Sequence, residues 1–401
     1  MDEATPTPQG RPASGPFEVV LWGVGHTHAH VLRRWTRSPI QGARLTCVSN
    51  FPTFAYSGML SGVLSGQYPK ERMEADLGRL CAAAGARLVV GEVVAVDVAA
   101  RRLELRGLPP LAFDALSVGI GSIPSSDGML WGEDVLAIKP MQTFLDRLDA
   151  RLRQVGRDLD GRPLRAVVMG AGAGGVEVAF CLPRRVRHVV GGVTLEMSLI
   201  GSGSRVGAGL TERTAGLVRR EFEARGVRLR PELRVTQAGG GAVTVEGGER
   251  IEADLIIGVT GAGAPPALAA LGLPTDPRGF LRTRPTLQTT ADAPVFAVGD
   301  AGTVEGSPTP KAGVYAVRQG PILWENLVRL RDGRPLVPFT PQRRFLKLLN
   351  TGDDRAIGEY NGFSLHNRWC WHLKDFIDRR FMDQYQKDFP RHADRPESPV
   401  L

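Results

Sequence analysis

Apolar runs closed by small residues alternate along this chain with stretches of helical period. Phe17–Trp22, Ala43–Ser49, Phe113–Val118, Leu164–Met169, Val193–Ile200, Ala253–Val259 and Val295–Val298 each read as a buried strand. Between them, Glu74–Ala84, Met141–Val155, a segment from Gly172 through Cys181, Leu210–Arg225 and Ala312–Leu330 have helix period, with Pro321 a kink in the last. Val89–Leu105 alternates as a hairpin or meander does. Past Arg334 the character changes: Arg343–Leu365 reads as two strands around Gly352-Asp353, and His366–Lys387 as an amphipathic helix. Strand–helix alternation on this scale predicts an α/β protein with two Rossmann-like domains and a small α+β C-terminal region. The expected division is a disordered lead over 1–16, a first, discontinuous domain over 17–128 and 280–335, a second over 129–279, and a C-terminal hairpin and amphipathic helix over 336–401.

The chemistry sits at the strand ends. Phe17–Trp22 runs into Gly23-Val24-Gly25-His26-Thr27-His28, which fills two positions of a GxGxxG turn and has His28 at the third. The first glycine permits the tight turn, the second lets backbone amides approach a pyrophosphate, and the third lets helix and strand pack closely. His26 and His28 are expected to line this turn and donate to an anion. His26 and His30 are also spaced for a metal, but no Cys, Asp or Glu stands near them in sequence, and metal is not the expected use. Asn50 ends the next strand, where an acid for the adenosine ribose is usual. Tyr56-Ser57-Gly58-Met59 follows in a small-residue loop, and Gly121 lies in a Gly/Ser turn after Val118.

The second turn is cleaner. Gly170, Gly172 and Gly175 fill all three glycine positions between a strand and a helix, with Glu177 in the helix's first turns. No acid closes the following strand. Arg205 in Gly201-Ser-Gly-Ser-Arg205 suits a 2′-phosphate and tilts the reading toward NADPH. Gly261, in Thr260-Gly-Ala-Gly263, mirrors the turn at Gly121, so the chain carries two similar halves. It then returns to the first with Val298-Gly299-Asp300 and a helix opening at Lys311-Ala312-Gly313. A carboxylate at a strand tip and a helix N-terminus aimed at the same crevice suit a bound dinucleotide.

Composition narrows this only slightly. The 401 residues include 49 glycines, in keeping with many tight turns. The charge of +8 comes from a chain with just six lysines among its 50 basic residues, and no basic block interleaved with aromatics, so nucleic-acid binding is not expected. The four cysteines are scattered, without a CxxC, which fits a reducing cytoplasm and gives no redox pair. The opening MDEATPTPQGRPASGP is not a signal peptide, and no run approaches a membrane span. The Trp/Phe-rich, basic stretch 366–387 either lies in a membrane interface or packs on the body of the protein or on a second subunit.

Two dinucleotide folds closed by VFAVGD and KAG resemble the two-dinucleotide-fold flavoproteins of the pyridine nucleotide–disulfide oxidoreductase type. The chain looks closest to type II NADH dehydrogenases, and to the NADH-dehydrogenase-like branch associated with selenide water dikinase through GVGHTHAHVLRRW, YSGMLSG and WHLKDFIDRRFM. The resemblance implies FAD in the first domain at Gly23, Gly25 and Asp300, with Tyr56–Met59 and Lys311–Val314 around the ring. It implies NAD(P)H in the second at Gly170, Gly172 and Gly175, with Glu177 toward the nicotinamide. Hydride would pass to the flavin, whose negative charge Lys311 and the Ala312 helix end stabilise. Electrons would then leave for a diffusible acceptor, quinone first, from a protein that is cytoplasmic or peripheral on the inner face of the membrane. Two further readings stay open: a flavin-binding partner protein with little nicotinamide turnover, and delivery of reducing power to selenium metabolism.

Overall fold

The computed structural model describes residues 15–291 and 293–387; the expected lead, but for its last two residues, and the end of the C-terminal region lie outside them. Two five-stranded parallel sheets form the frame. The first is ordered Val295–Ala297, Ala115–Val118, Phe17–Trp22, Ala43–Ser49, Arg87–Val90. The second is ordered Val135–Ala137, Leu255–Gly258, Leu164–Met169, Leu195–Ile200, Arg228–Arg230. Each therefore has its glycine-turn strand at the centre, where a doubly wound sheet places its ligand crevice. The apolar runs are buried on both faces, as parallel strands require: Ala115–Val118 and Leu255–Gly258 are buried at every position.

Register brings the strand tips together. Trp22 lies beside Val48 on one side and Val118 on the other, and Ala297 beside Val118. Gly23, Gly119 and Asp300 consequently leave the sheet at the same edge. Helices His26–Arg37 and Gly313–Arg331 cross behind that edge; a Cβ on Gly320 would come within 2.7 Å of the His30 Cβ, so the crossing depends on glycine there. The chain passes between the sheets as two short strands, Ile123–Pro124 and Ala262–Gly263, paired antiparallel. The similar Gly121 and Gly261 turns thus meet, and Ser125 N–H donates to the Gly261 carbonyl at 2.7 Å.

Several expected elements are redrawn. Glu74–Asp76 is a strand paired with Thr53–Ala55, and only Leu77–Ala84 is helical, capped by Asp76, which accepts from the Arg79 N–H. Arg87–Val90 is the edge of the first sheet, and the meander is Val93–Asp97, Arg102–Leu105 and Leu108–Ala112. The helix after Gly172 runs Ala173–Val190, past Cys181 and through Pro183.

Among the described residues the C-terminal part holds three strands where two were expected: Lys347–Asn350, Ala356–Tyr360 and Phe363–Asn367. Antiparallel partners share a face, so Glu359, Ser364 and His366 look one way while Tyr360, Phe363 and Leu365 look the other. The first face packs on helix Glu212–Ala224, where Glu359 accepts from Thr214 and His366 meets Glu221 at 2.9 Å. The second face is exposed. The final helix, Arg368–Gln386, extends that exposed surface with Trp369, Leu373, Phe376 and Ile377, and turns Lys374, Asp378, Met382 and Tyr385 inward. Over its first half, Trp369 to Asp378, its polarity is inverted relative to an ordinary surface helix, while Phe381, Met382 and Tyr385 beyond pack on the core in the usual way.

Candidate functional site

The second glycine turn has the geometry its sequence implies. Gly170 has φ +111°, and a Cβ there would lie 2.3 Å from the Val259 carbonyl oxygen. A Cβ on Gly175 would fall 1.8 Å from the Gly170 carbonyl oxygen, so the helix seats on the turn only through glycine. Around Gly172, by contrast, there is nothing within 4 Å, leaving room for a phosphate against the N-terminus of helix Ala173–Val190. The loop bearing Arg205 folds back over this turn: Gly207 N–H donates to the Ala171 carbonyl at 2.6 Å. Arg205 itself is exposed, 3.9 Å from Glu212, a carboxylate already held by Arg219 at 2.5 Å.

The first turn solves the same packing problem differently. Gly23 has φ +78°, and a Cβ there would meet Ile120 Cα at 2.7 Å. Around Gly25 the nearest atom is the Gly119 oxygen at 3.8 Å, again an open approach to backbone amides. His28 does not line the turn. Its ring is fully buried: Nδ1 meets the Gly23 carbonyl, and Nε2 the Ser117 hydroxyl at 2.8 Å. A carbonyl can only accept, so Nδ1 carries the proton and Nε2 accepts from Ser117. Both nitrogens are occupied by protein, and the expected donation from His28 to an anion is corrected on that ground. Burial lowers its pKa to about 4 and keeps it neutral.

His26 is the histidine that faces the crevice. Its Nε2 is shielded from solvent and has no partner, and it lies 3.5 Å from the Cβ that Gly313 lacks. The rings of Phe54, Tyr56 and Phe381 surround it at 5.4–5.7 Å. Burial lowers the pKa of His26 to about 4, with Asp300 opposing and Lys139 adding to the shift. Asp300, at the tip of Val295–Ala297, accepts from the Ser122 hydroxyl at 2.6 Å; Lys139 Nζ lies 2.6 Å from that hydroxyl and 3.5 Å from the carboxylate. An orphaned imidazole nitrogen, a carboxylate, a lysine and the open ends of two helices at Gly25 and Ala312 make a donor set suited to the hydroxyls and phosphates of a dinucleotide.

Lys311 is placed otherwise than expected. Its Nζ donates to the Gly302 carbonyl at 2.6 Å and the Thr303 hydroxyl at 2.9 Å, and sits 4.0 Å over the Phe280 ring. Burial lowers its pKa to about 8, against the pull of Asp300 and Asp276. Its hydrogen-bond partners lie on strand Gly302–Val304, so the ammonium is tied to that strand beneath the loop, within the field of the crevice carboxylate Asp300. Asn50 and Ser57 are exposed at the rim, and Gly121 and Gly261 have open space around them.

Glu177 stands where both folds and the C-terminal region meet. Its Oε1 accepts from the Ser61 hydroxyl and the Asn350 N–H, both at 2.9 Å, and lies 4.0 Å from Lys374 Nζ. Lys374 donates to the Gly58 carbonyl at 2.7 Å and to Asp378 at 2.9 Å, while the Tyr56 hydroxyl donates to the other Asp378 oxygen at 3.0 Å. One cation thus faces two buried carboxyls. Burial raises the pKa of both Glu177 and Asp378 in spite of Lys374. Burial alone would lower Lys374, but the two carboxylates outweigh it and raise its pKa. With one positive charge for two acids, the cluster readily holds an extra proton. Lys139, Ser122, Lys374, Asp378, Ser61 and Asn350 were not among the residues expected from sequence; the signals available were the rarity of lysine and the i, i+4 pair Lys374–Asp378 on a helix whose apolar residues point elsewhere.

One cysteine borders this cluster: Cys181 Sγ donates to the Asn350 carbonyl at 3.8 Å, and burial, with the Glu177 carboxylate adding to it, holds its thiol well above the usual range. Cys47 and Cys81 meet in the core, where their hydrogen bond and burial hold the Cys47 thiol well above its usual range.

Comparison with known proteins bears on this arrangement. The sequence model of the pyridine nucleotide-disulphide oxidoreductase family matches residues 20–320. An NADH dehydrogenase-like protein of Mycobacterium tuberculosis is 29% identical over 238 residues, which cover 56% of this chain and 57% of that protein. A type II NADH:quinone oxidoreductase of Haemophilus influenzae is 25% identical over 192 residues, 45% of this chain and 43% of the relative. The chain therefore spans about half the length of the curated relatives it matches. In fold it is similar to the sulfide:quinone oxidoreductase of Aquifex aeolicus, with TM-score 0.73, 14% identity and 92% of each chain covered. The NDH2 of Plasmodium falciparum in complex with NADH gives TM-score 0.72 at 11% identity, covering 93% of this chain and 99% of the other.

Proposed function

The chain belongs to the pyridine nucleotide-disulphide oxidoreductase family, and from that premise we propose that it is an NAD(P)H dehydrogenase using FAD and passing electrons to a quinone. In this reading residues 17–128 with 280–335 hold FAD, 129–279 hold NAD(P)H, and 336–401 complete the acceptor side. The observation that carries it is the pair of glycine turns, each at the centre of a parallel sheet and each open where a pyrophosphate would lie, at Gly25 and Gly172. FAD, when bound, supplies the redox chemistry, taking hydride from the nicotinamide and giving two electrons to the acceptor.

The protein's own residues do the rest. Gly23, Gly25, His26 and Asp300 hold the FAD chain, and the helix opening at Ala312–Gly313 supplies positive potential to it. Gly170, Gly172 and Gly175 seat the nicotinamide dinucleotide. Tyr56, Phe54 and Phe381 exclude water around His26. Reducing a quinone to its quinol takes two electrons and two protons. The hydride brings one proton, and the Glu177–Lys374–Asp378 cluster is placed to supply the second, refilled from solvent. The buried, protonated thiols of Cys47 and Cys181 have no part in this route.

Among the described residues no helix is long and apolar enough to cross a membrane. The exposed aromatic face of Phe363, Trp369 and Phe376, with Arg368 and Arg380 nearby, supports peripheral contact with a membrane that carries the quinone. None of the relatives above is named for selenium chemistry, and the reading rests on nicotinamide and quinone.

The test is an anaerobic titration of the purified protein with NADH and NADPH, then addition of a short-chain quinone. Bleaching of the flavin that quinone reverses is the expected result, and it names the preferred nucleotide. A flavin that stays oxidised with both nucleotides overturns the dehydrogenase and favours a flavin-binding partner protein.

A further inference from the structure

Of the chain's six lysines, two lie near the crevice of the first fold, and their surroundings separate them. Lys311 is consumed by protein: a carbonyl, a hydroxyl and an aromatic face account for its ammonium. Lys139 is not. It comes from the second fold, between the edge strand Val135–Ala137 of that sheet and helix Met141–Arg157, and its side chain remains 31% exposed. Among the described residues its ammonium meets Ser122 Oγ and, at a loose 3.5 Å, Asp300 Oδ2. Ser122 already donates its own proton to Asp300, so Lys139 meets a hydroxyl oxygen and the edge of a carboxylate, leaving donors of its ammonium unused. The charges of Asp300 and Lys139 both act on His26, whose Nε2 has no partner.

We propose that Lys139 is the cation that binds the anionic dinucleotide of the first fold, and that Lys311 is a structural strut. The inference rests on the proposed placement of FAD in that fold. Its physical basis is charge and reach. A dinucleotide brings two negative phosphates, and among the described residues the crevice edge offers Asp300, two neutral imidazoles (one of them sealed away) and Lys139. When a ligand hydroxyl takes the Asp300 carboxylate, the loose 3.5 Å contact is the one that yields, freeing Lys139 to turn to the ligand. Because Lys139 belongs to the second fold and reaches across to Asp300 of the first, occupation of the first fold also fixes the start of helix Met141–Arg157, which packs on helix Ala173–Val190 through Arg185 and Asp149. Binding of the first dinucleotide thereby orders the platform for the second.

FAD titration of the deflavinated full-length protein at low and high salt tests this, with Lys139→Met, Lys139→Arg and Lys311→Met beside the wild type. Lys139→Met is expected to weaken FAD about tenfold to a hundredfold, the worth of one charged hydrogen bond, and to flatten the salt dependence. Lys139→Arg restores most of both, since it keeps the charge. Lys311→Met lowers thermal stability and leaves the salt dependence as in the wild type. Wild-type protein that binds FAD while Lys139→Met binds it within twofold overturns this inference alone. So does a Lys139→Arg protein no better than Lys139→Met, or a Lys311→Met protein with the flattened salt response. A wild type that binds no FAD overturns the placement of FAD as well.

Discussion

The two glycine turns occupy equivalent places in equivalent sheets, yet they are packed by opposite means. In the second fold the helix is seated by Gly175, whose missing Cβ makes room for the Gly170 carbonyl, and the neighbouring strand contributes Val259. In the first fold the corresponding helix position is His28, the corresponding carbonyl is that of Gly23, and the neighbouring strand contributes Gly119. A Cβ on Gly119 would lie 2.5 Å from His28 Cε1. The space freed by glycine has moved from the helix to the adjacent strand, and the imidazole that fills it bonds the carbonyl that Gly175 merely clears. A missing third glycine is therefore a compensated exchange here and not decay of the site.

The largest effect expected from breaking the comparison is at Gly175. Gly175→Val places side-chain atoms on a backbone carbonyl that cannot move without unwinding the turn. Overpacking of this kind costs about 3 kcal/mol or more. Thermal unfolding should show a loss of several degrees at least, and titration should show NAD(P)H binding abolished while FAD is retained. The reciprocal change in the first fold is Gly119→Ala, which forces a methyl into the His28 ring and is expected to cost roughly 1–3 kcal/mol. Combined with His28→Gly the penalty should shrink, because the exchanged glycine returns to the helix; a double-mutant cycle should give coupling on the order of 1 kcal/mol or more. Strictly additive losses would show that the two positions are not one device.

How much of this was legible beforehand follows from the same residues. The strands, their order of appearance and both turns could be read because buried parallel strands are continuous apolar runs and glycine marks tight backbone approach. His28 was read by its position in a motif, which says nothing of where the ring points; its partner Ser117 and the room left by Gly119 are 89 and 91 residues away in the chain. Lys311 was given its role by standing before a helix, but a four-carbon stem reaches several acceptors, and tertiary packing chose Gly302. Helix Arg368–Gln386 was read as apolar with interspersed charges, and the pattern is real. Only the fold shows that Lys374 and Asp378 face inward to Glu177 while Trp369 and Phe376 face out. Periodicity gives the faces of a helix and leaves open which one is inside.

A gentler way to separate the two turns is acid. His28 is buried and neutral, with its pKa lowered from the ordinary 6.5 to about 4. Above pH 6.5 neither the folded nor the unfolded chain protonates this ring, and it adds no pH dependence. As pH falls from about 6.5 toward 4, the unfolded chain takes up a proton that the folded chain refuses, so stability declines by about 3 kcal/mol in all and levels off below pH 4. The second turn has no such group, since Gly175 cannot titrate. The first fold should accordingly release FAD on acidification before the second loses NAD(P)H, as followed by flavin fluorescence and nucleotide binding between pH 7 and 4.5. In His28→Gln that part of the acid sensitivity should be absent.

The smallest expected effect concerns the far ends of the two crevices, where neither fold carries the acid that usually holds an adenosine ribose. Asn50 in the first is neutral. In the second, the loop after Ile200 brings Arg205, exposed and only weakly engaged by a carboxylate that Arg219 already holds. The bond from Gly207 N–H to the Ala171 carbonyl ties the loop that bears Arg205 to the second glycine turn. In the proposed reading a 2′-phosphate within reach of Arg205 would gain a charge-assisted contact that a 2′-hydroxyl would not. Because the site is open to solvent and salt, the gain is modest. Arg205→Leu is expected to weaken NADPH by about threefold to tenfold and leave NADH nearly unchanged, measured as dissociation constants at low ionic strength. Equal weakening of both nucleotides would place Arg205 at the shared pyrophosphate instead and remove its proposed part in telling the two coenzymes apart.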